Sequence, residues 1–128
     1  MYYPTKDDVL DLHDDALAAF GGDSGVMDEG AIEAALARPK ASFGDTERFP
    51  DVPSKAAALL HGLVSAHAFV DGNKRTAGAV ALTFVERNGF KLRATGEGIE
   101  TVTRSTADGS LDVDEVVDWF RAHIEPEH

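Results

Sequence analysis

The sequence predicts an all-α fold, a compact helical bundle in a single domain over residues 1–128. Three observations support this prediction. Apolar residues recur at helical spacing along most of the chain, several of these segments begin at a residue typical of a helix N-cap, and no two segments alternate as a strand pair would. A chain of this length builds one hydrophobic core and is too short for two.

The first part of the chain predicts two helices separated by a glycine-rich loop. The first helix runs from residue 6 to residue 20, with Thr5 as its N-cap, and it ends at Gly21-Gly22. The second helix is short and runs from a cap at Asp28 to residue 37, because Pro39 cannot continue it.

Residues 39–53 form the longest irregular stretch, with three prolines and one glycine. We expect Phe43 and Phe49 to dock this stretch on the body of the protein. There it either connects two helices or helps to present a substrate. The small and apolar residues that follow predict a helix over residues 54–66 that is buried on most sides.

The remaining sequence predicts three further helices. One buried helix covers residues 73–88, and an irregular link over residues 90–98 leads to a helix over residues 99–107. The last helix begins near Asp112, with Glu115 as its capping partner, and it runs to His123.

Composition excludes several classes of protein. The chain has 12 Lys plus Arg against 23 Asp plus Glu, and its net charge of −11 argues against a nucleic-acid binder, which needs a basic surface. The lack of cysteine excludes disulfides and thiolate metal sites. No apolar run approaches the roughly 20 residues that span a bilayer, and the N-terminus does not resemble a signal peptide. We therefore expect a soluble, cytoplasmic protein with no membrane partner and no direct nucleic-acid partner.

The most informative segment is the run HAFVDGNKR over residues 67–75, just before and within the start of the predicted 73–88 helix. Gly72 allows a turn that leads into this helix, whose first amides lack internal partners and attract anions. Asn73 adds side-chain donors, and Lys74 and Arg75 add positive charge. These residues predict a phosphate-binding site.

The same run contains a candidate base and a candidate metal ligand. Asp71 offers the carboxylate oxygens that Mg²⁺ takes together with phosphate oxygens, and His67 can accept a proton from a hydroxyl near neutral pH. The combination predicts transfer of a phosphate-containing group from a nucleotide to a hydroxyl.

Each of these residues, taken singly, also has a structural explanation. His67 on its own is more typical of a surface histidine, and Asp71 of a turn or cap residue. Their occurrence together in one loop favours the functional interpretation. Phe69 is expected to anchor the loop to the core, and His61 to be a core or rim histidine. No role is assigned to His13, on a charged helix.

The run resembles the motif H-x-F-x-(D/N)-(A/G)-N-K-R of the Doc branch of the Fic/Doc family, with Ala68 in place of a common proline. The AMP-transferring Fic branch has glycine where this chain has Lys74. The resemblance covers nearly the whole chain, since other segments also match the Doc pattern: residues 21–22, 25–30, 35–39, 55–57, 84–89 and 109–120.

This resemblance implies a compact helical Fic/Doc-type fold and a toxin from a bacterial toxin–antitoxin pair. Doc-type proteins use Mg²⁺ and ATP to phosphorylate a threonine of elongation factor Tu, which halts translation. By motif position, the resemblance makes His67 the general base and Asp71 the metal ligand, while Asn73, Lys74 and Arg75 hold the nucleotide phosphates with the loop amides.

Two alternatives stay open: transfer of AMP to a protein hydroxyl, and a degenerate module that only binds a nucleotide or a partner. Some Fic proteins restrain themselves with a helix of pattern S/T-x-x-x-E-G/N. The nearest approach here, from Ser24 to Glu29-Gly30, has one residue too many. Restraint is therefore expected from a separate, Phd-like antitoxin.

Overall fold

The computed structural model describes residues 1–127, and it confirms the all-α prediction. Within that range none of the helices has the length and apolar character needed to cross a bilayer. The helices are α1 (Lys6–Phe20), α2 (Glu29–Ala37), α3 (Val52–Ala66), α4 (Asn73–Arg87), α5 (Gly96–Ala107) and α6 (Val113–His123).

Helix α3 lies at the centre of the bundle, where it packs against α2, α4, α5 and α6. Its residues 56–60 are fully buried, and the alanines among them let neighbouring helices approach closely. Two large side chains, Phe84 of α4 and Phe120 of α6, are also fully buried. The core therefore surrounds α3 and fixes the position at which this helix ends.

Side-chain caps set the starts of the α-helices other than α4, as the sequence predicts for α1, α2 and α6. Thr5 and Asp8 form a reciprocal capping box at α1, and Asp112 forms one with Glu115 at α6. Helix α3 begins two residues earlier than predicted, because Asp51 caps it. A proline in the first turn is compatible with a helix, since the amide that it lacks would have no partner there.

The prediction that the chain has no strand pair is wrong, because the structure contains two short pairs. Strands β1 (Ser42–Phe43) and β2 (Thr46–Glu47) form a small hairpin, and β3 (Phe90–Leu92) pairs antiparallel with β4 (Ile124–Pro126). The first pair lies in the stretch predicted to be irregular, and β3 lies in the predicted link. Segments of two or three residues are too short to show an alternating pattern.

The stretch over residues 39–53 is held by a buried lysine. Nζ of Lys55 donates to the carbonyls of Pro39 and Phe49 at 3.0 and 2.6 Å, and to Oε1 of Glu47 at 3.0 Å. Phe49 is buried as predicted. Because Lys55 lies three turns before the end of α3, the stretch is anchored about 18 Å along the helix from residue 67. This position favours its connecting role.

The docking prediction for Phe43 is wrong. Its ring is 78% exposed, since it lies on a two-residue strand whose side chains both face solvent.

We expect the acid stability of the fold to depend on Asp51. The hydrogen bond from Arg121 lowers the pKa of this carboxyl to about 2. Because the folded-state pKa lies below the ordinary value of 3.8, the carboxylate stabilises the fold above that pH, and the contribution is lost as the pH falls through about 2. The variant Asp51→Asn keeps an N-cap residue and removes the charge.

At pH 7 the substitution should lower the free energy of unfolding by less than about 1 kcal/mol, because Asp51 and Arg121 are both roughly half exposed. The difference from wild type should shrink as the pH falls from 4 to 2. Urea unfolding at these pH values measures both effects. A difference that stays constant down to pH 2 would mean that the charge is not its source.

Candidate active site

The run over residues 67–75 forms the connection between α3 and the first turn of α4. His67 ends α3 with a left-handed backbone, φ 45° and ψ 45°, and within residues 1–127 it is the one non-glycine residue with positive φ. Such a conformation costs on the order of 1–3 kcal/mol, and it is found mainly where the surroundings impose it, often at functional sites. The His67 side chain is exposed.

The loop after His67 is closed by reciprocal hydrogen bonds. Oδ1 of Asn73 accepts from the Phe69 amide at 3.0 Å, and Nδ2 of Asn73 donates to the Phe69 carbonyl at 2.9 Å. Phe69 itself is buried, which confirms the predicted anchor. In this arrangement the Asn73 side-chain amide holds the loop in shape, and its donation to phosphate stays a prediction.

The segment between α1 and α2 lies alongside the loop. The amides of Met27 and Asp28 both donate to the Ala68 carbonyl, at 2.7 and 3.2 Å, and the Val70 amide donates to the Gly25 carbonyl at 3.1 Å. Gly25 has φ +136°, and a Cβ there would lie 3.0 Å from Cγ2 of Val70. Glycine is therefore needed where the two segments meet.

Three apolar side chains are exposed where these segments meet: Val26, Met27 and Val70. Val70 is three residues from His67, and Val26 and Met27 lie on the segment paired with its loop. The loop thus presents an apolar surface beside an exposed imidazole.

The Asp71 carboxylate is oriented by backbone amides. Oδ1 accepts from the Gly72 amide at 2.8 Å, and Oδ2 accepts from the Asp23 amide at 3.3 Å. A Cβ on Gly22 would lie 2.8 Å from Oδ2, so the close approach requires glycine. The second glycine of Gly21-Gly22 therefore contributes to the site as well as ending α1.

Gly72 is the N-cap of α4, with φ 80° and ψ 14°, and no described side chain caps this helix. Lys74 and Arg75 in the first turn are exposed, and neither forms an ion pair with any of residues 1–127. An uncapped helix start with two unneutralised cations is a favourable place for a phosphate.

A cleft of about 450 Å³ opens between α4 and α5 beside these cations. The Arg75 guanidinium lies 3.6 Å from the ring centre of Phe20, which is 64% exposed. Much of the rest of the lining is apolar or small: Gly78, Ala79, Leu82 and Ile99.

His13, to which the sequence analysis assigns no role, lies directly under the loop. It is buried, its ring stacks on Phe69 with centroids 3.8 Å apart, and its Nε2 lies 2.8 Å from the Asp71 carbonyl oxygen. The spacing of Val9, His13 and Ala16 is helical, and all three are buried. This spacing is the signal that places His13 on the inner face of α1.

Comparison with known proteins decides the family. A model of the family described as Fic/DOC matches residues 3–85, which include the whole 67–75 run. The chain belongs to the Fic/DOC family. It is 47% identical over 92 residues to a protein named Toxin Doc from Mycolicibacterium smegmatis, covering 72% of this chain and 68% of that protein. It is 32% identical over 121 residues, 94% of each chain, to Protein kinase doc of Escherichia phage P1. These relatives confirm the Doc branch.

The site of this Fic/DOC protein suits a metal that arrives with a nucleotide. Residues 1–127 contain no group of three or more His, Cys, Asp or Glu side chains that could hold an ion alone. Mg²⁺ commonly takes one or two carboxylates and completes its shell with phosphate oxygens and water. One oriented carboxylate, Asp71, next to an uncapped helix start meets that requirement.

Proposed function

We propose that the chain is the toxin of a bacterial toxin–antitoxin pair and acts in the cytoplasm as a protein kinase. It transfers the γ-phosphoryl group of Mg²⁺-bound ATP to a threonine hydroxyl, on elongation factor Tu, and thereby halts translation. One observation carries the proposal: a single loop joins an exposed imidazole, an oriented carboxylate and a helix start whose two cations pair with no carboxylate among residues 1–127. The names of the two relatives, one a toxin and one a protein kinase, support it.

Each residue of the loop has a separate role in the proposed reaction. The first amides of α4, which begins after Gly72, bind phosphate oxygens together with Lys74 and Arg75. Asp71 is the metal ligand. When bound, ATP would supply the phosphoryl group and Mg²⁺ would neutralise its charge. His67 takes the proton of the threonine hydroxyl as its oxygen bonds to the γ-phosphorus, while the bond to the bridging oxygen breaks and ADP leaves.

Asn73 supports this chemistry by holding the loop. Both polar atoms of its side chain bond to Phe69, and its backbone amide lies at the start of α4, where the phosphate is proposed to bind.

A protein substrate is supported by the surface around the base. The exposed Val26, Met27 and Val70 offer an apolar edge beside His67 against which a polypeptide can pack. A small-molecule substrate would not need such a surface.

The antitoxin is proposed to cover the cleft between α4 and α5. An apolar segment of a partner would bury Phe20 and Leu82 there and would reach the cations of the phosphate site. Amide exchange that slows in both helices when the antitoxin binds would support this. Unchanged exchange in both would contradict it.

Which part of the nucleotide is transferred, the γ-phosphoryl group or AMP, depends on Lys74. Glycine at this position leaves room for the α- and β-phosphates, whereas lysine fills part of that space and adds charge, so that the nucleotide binds reversed with its γ-phosphate at the reacting position. We expect Lys74→Gly to lower γ-transfer about tenfold, the value of one charge-assisted contact. The variant Lys91→Gly, at the exposed middle position of strand β3, is the control and should leave the rate unchanged. An unaffected rate in Lys74→Gly would contradict this role.

The experiment that tests the proposed function uses purified protein, Mg²⁺ and a bacterial lysate, with ATP labelled at either the γ- or the α-phosphate. Label from the γ position alone, on a band that mass spectrometry identifies as elongation factor Tu, is the expected result. Label from the α position would make the protein an AMP transferase. No label from either would favour a module that only binds.

A further inference from the structure

Helix α1 contacts the loop through the buried His13, and its Leu17 also lies near the turn at Gly72. His13 is only 3% exposed, and it lies on the face of α1 that packs towards α4. Its ring covers the Phe69 ring almost in parallel, with an interplanar angle of 9°. A Cβ added to Gly72 would lie 3.4 Å from Cδ2 of His13, so the same ring also touches the turn before α4.

The hydrogen bond from this ring defines which nitrogen of His13 carries the proton and how the Asp71 carbonyl is oriented. A carbonyl oxygen only accepts, so Nε2 of His13 must carry the proton that it donates to the Asp71 carbonyl at 2.8 Å. The carbonyl of Asp71 is thereby held towards α1. Its carboxylate is held at the other end by the amides of Asp23 and Gly72. Both ends of this residue are therefore restrained.

We propose that His13 is a positioning residue that sets the orientation of Asp71 for Mg²⁺ binding. This inference rests on the proposed function, in which Asp71 is the metal ligand. His13 itself touches neither metal nor nucleotide; it acts through the backbone of Asp71. Groups that orient a ligand in this way are commonly worth about 10- to 100-fold in metal affinity or activity.

Two substitutions separate the two contacts that His13 makes. His13→Phe keeps an aromatic ring over Phe69 and leaves the Asp71 carbonyl without its donor. His13→Gln loses the ring but keeps an N–H group near the position of Nε2. If His13 only fills space under the loop, the phenylalanine variant should resemble wild type, and the glutamine variant should be the poorer of the two. The positioning role predicts the reverse order.

The experiment measures phosphoryl transfer against Mg²⁺ concentration, thermal unfolding, and amide exchange of residues 67–73 for wild type and both variants. We expect His13→Phe to raise the Mg²⁺ concentration for half-maximal rate about tenfold and to speed exchange of the loop amides. In His13→Gln the Mg²⁺ requirement and the loop exchange should both be close to those of wild type. His61→Gln is the matched control, because His61 lies on α3 and bonds to Arg38 away from the loop.

The outcomes separate this inference from the proposed function. A wild-type protein without Mg²⁺-dependent transfer would refute the proposed function, while amide exchange would still report whether the donor holds the loop. An active wild type with unchanged Mg²⁺ dependence in His13→Phe would overturn the inference. Equal losses in both variants would also overturn it, since they would assign the effect to packing. If His13→Phe does not fold, His13→Leu against His13→Gln compares loss of the donor with its retention when the ring is absent from both, and equal losses would again overturn the inference.

Discussion

Replacing His67 by alanine should abolish phosphoryl transfer and growth inhibition while leaving ATP binding intact. A positioned general base contributes on the order of 10²- to 10⁴-fold to a transfer rate. Nucleotide binding, by contrast, is assigned to the start of α4 and to Lys74 and Arg75, which the substitution does not touch. The transfer rate with γ-labelled ATP, calorimetric ATP binding and growth after induced expression provide the three measurements.

The left-handed backbone of His67 supplies a matched control. Glycine adopts φ near 45° without strain, so His67→Gly removes the imidazole and keeps the turn that ends α3. Both variants should be equally inactive if the imidazole is the base. Activity in His67→Gly alone would mean that the backbone turn, not the side chain, is what the reaction needs. Growth inhibition that persists in both would make binding alone the function.

The helices were predictable because their signals are local. Thr5 with Asp8, and Asp112 with Glu115, lie three residues apart, and the structure contains both capping boxes. The pairing of β3 with β4 was not predictable, since Leu92 meets Ile124 only after two intervening helices have packed. A three-residue strand has too few side chains to show its partner in the sequence.

The candidate site also has features that are local in the sequence and features that depend on long-range contacts. The run over residues 67–75 is contiguous, so its glycine turn, carboxylate and cations could be recognised together. Two of the three groups that hold Asp71 come from far away in the chain: Asp23 is 48 residues distant and His13 is 58, whereas Gly72 is adjacent. Only the helical spacing of His13 indicated that it was buried, and spacing does not identify a hydrogen-bond partner.

Replacing Asp71 by asparagine should lower the Mg²⁺-dependent transfer rate by more than about 100-fold. Loss of a group that merely orients a metal ligand costs up to about that factor, so loss of the ligand charge should exceed it. The fold should survive, because Oδ1 of the asparagine can still accept from the Gly72 amide. Asp23→Asn is the control, since Asp23 contributes its backbone amide to Asp71 and its own side chain is exposed.

ATP binding without Mg²⁺ provides the sharper test of the same substitution. In the absence of the cation the Asp71 carboxylate repels the phosphates that the α4 start attracts, so Asp71→Asn should bind free ATP more tightly than wild type does. With Mg²⁺ the order should reverse, because wild type alone then has the carboxylate that shares the ion with the phosphates. Calorimetric titration with and without Mg²⁺ measures this reversal in the order of the ATP affinities. An order that is the same under both conditions would mean that Asp71 acts only as a turn residue before α4.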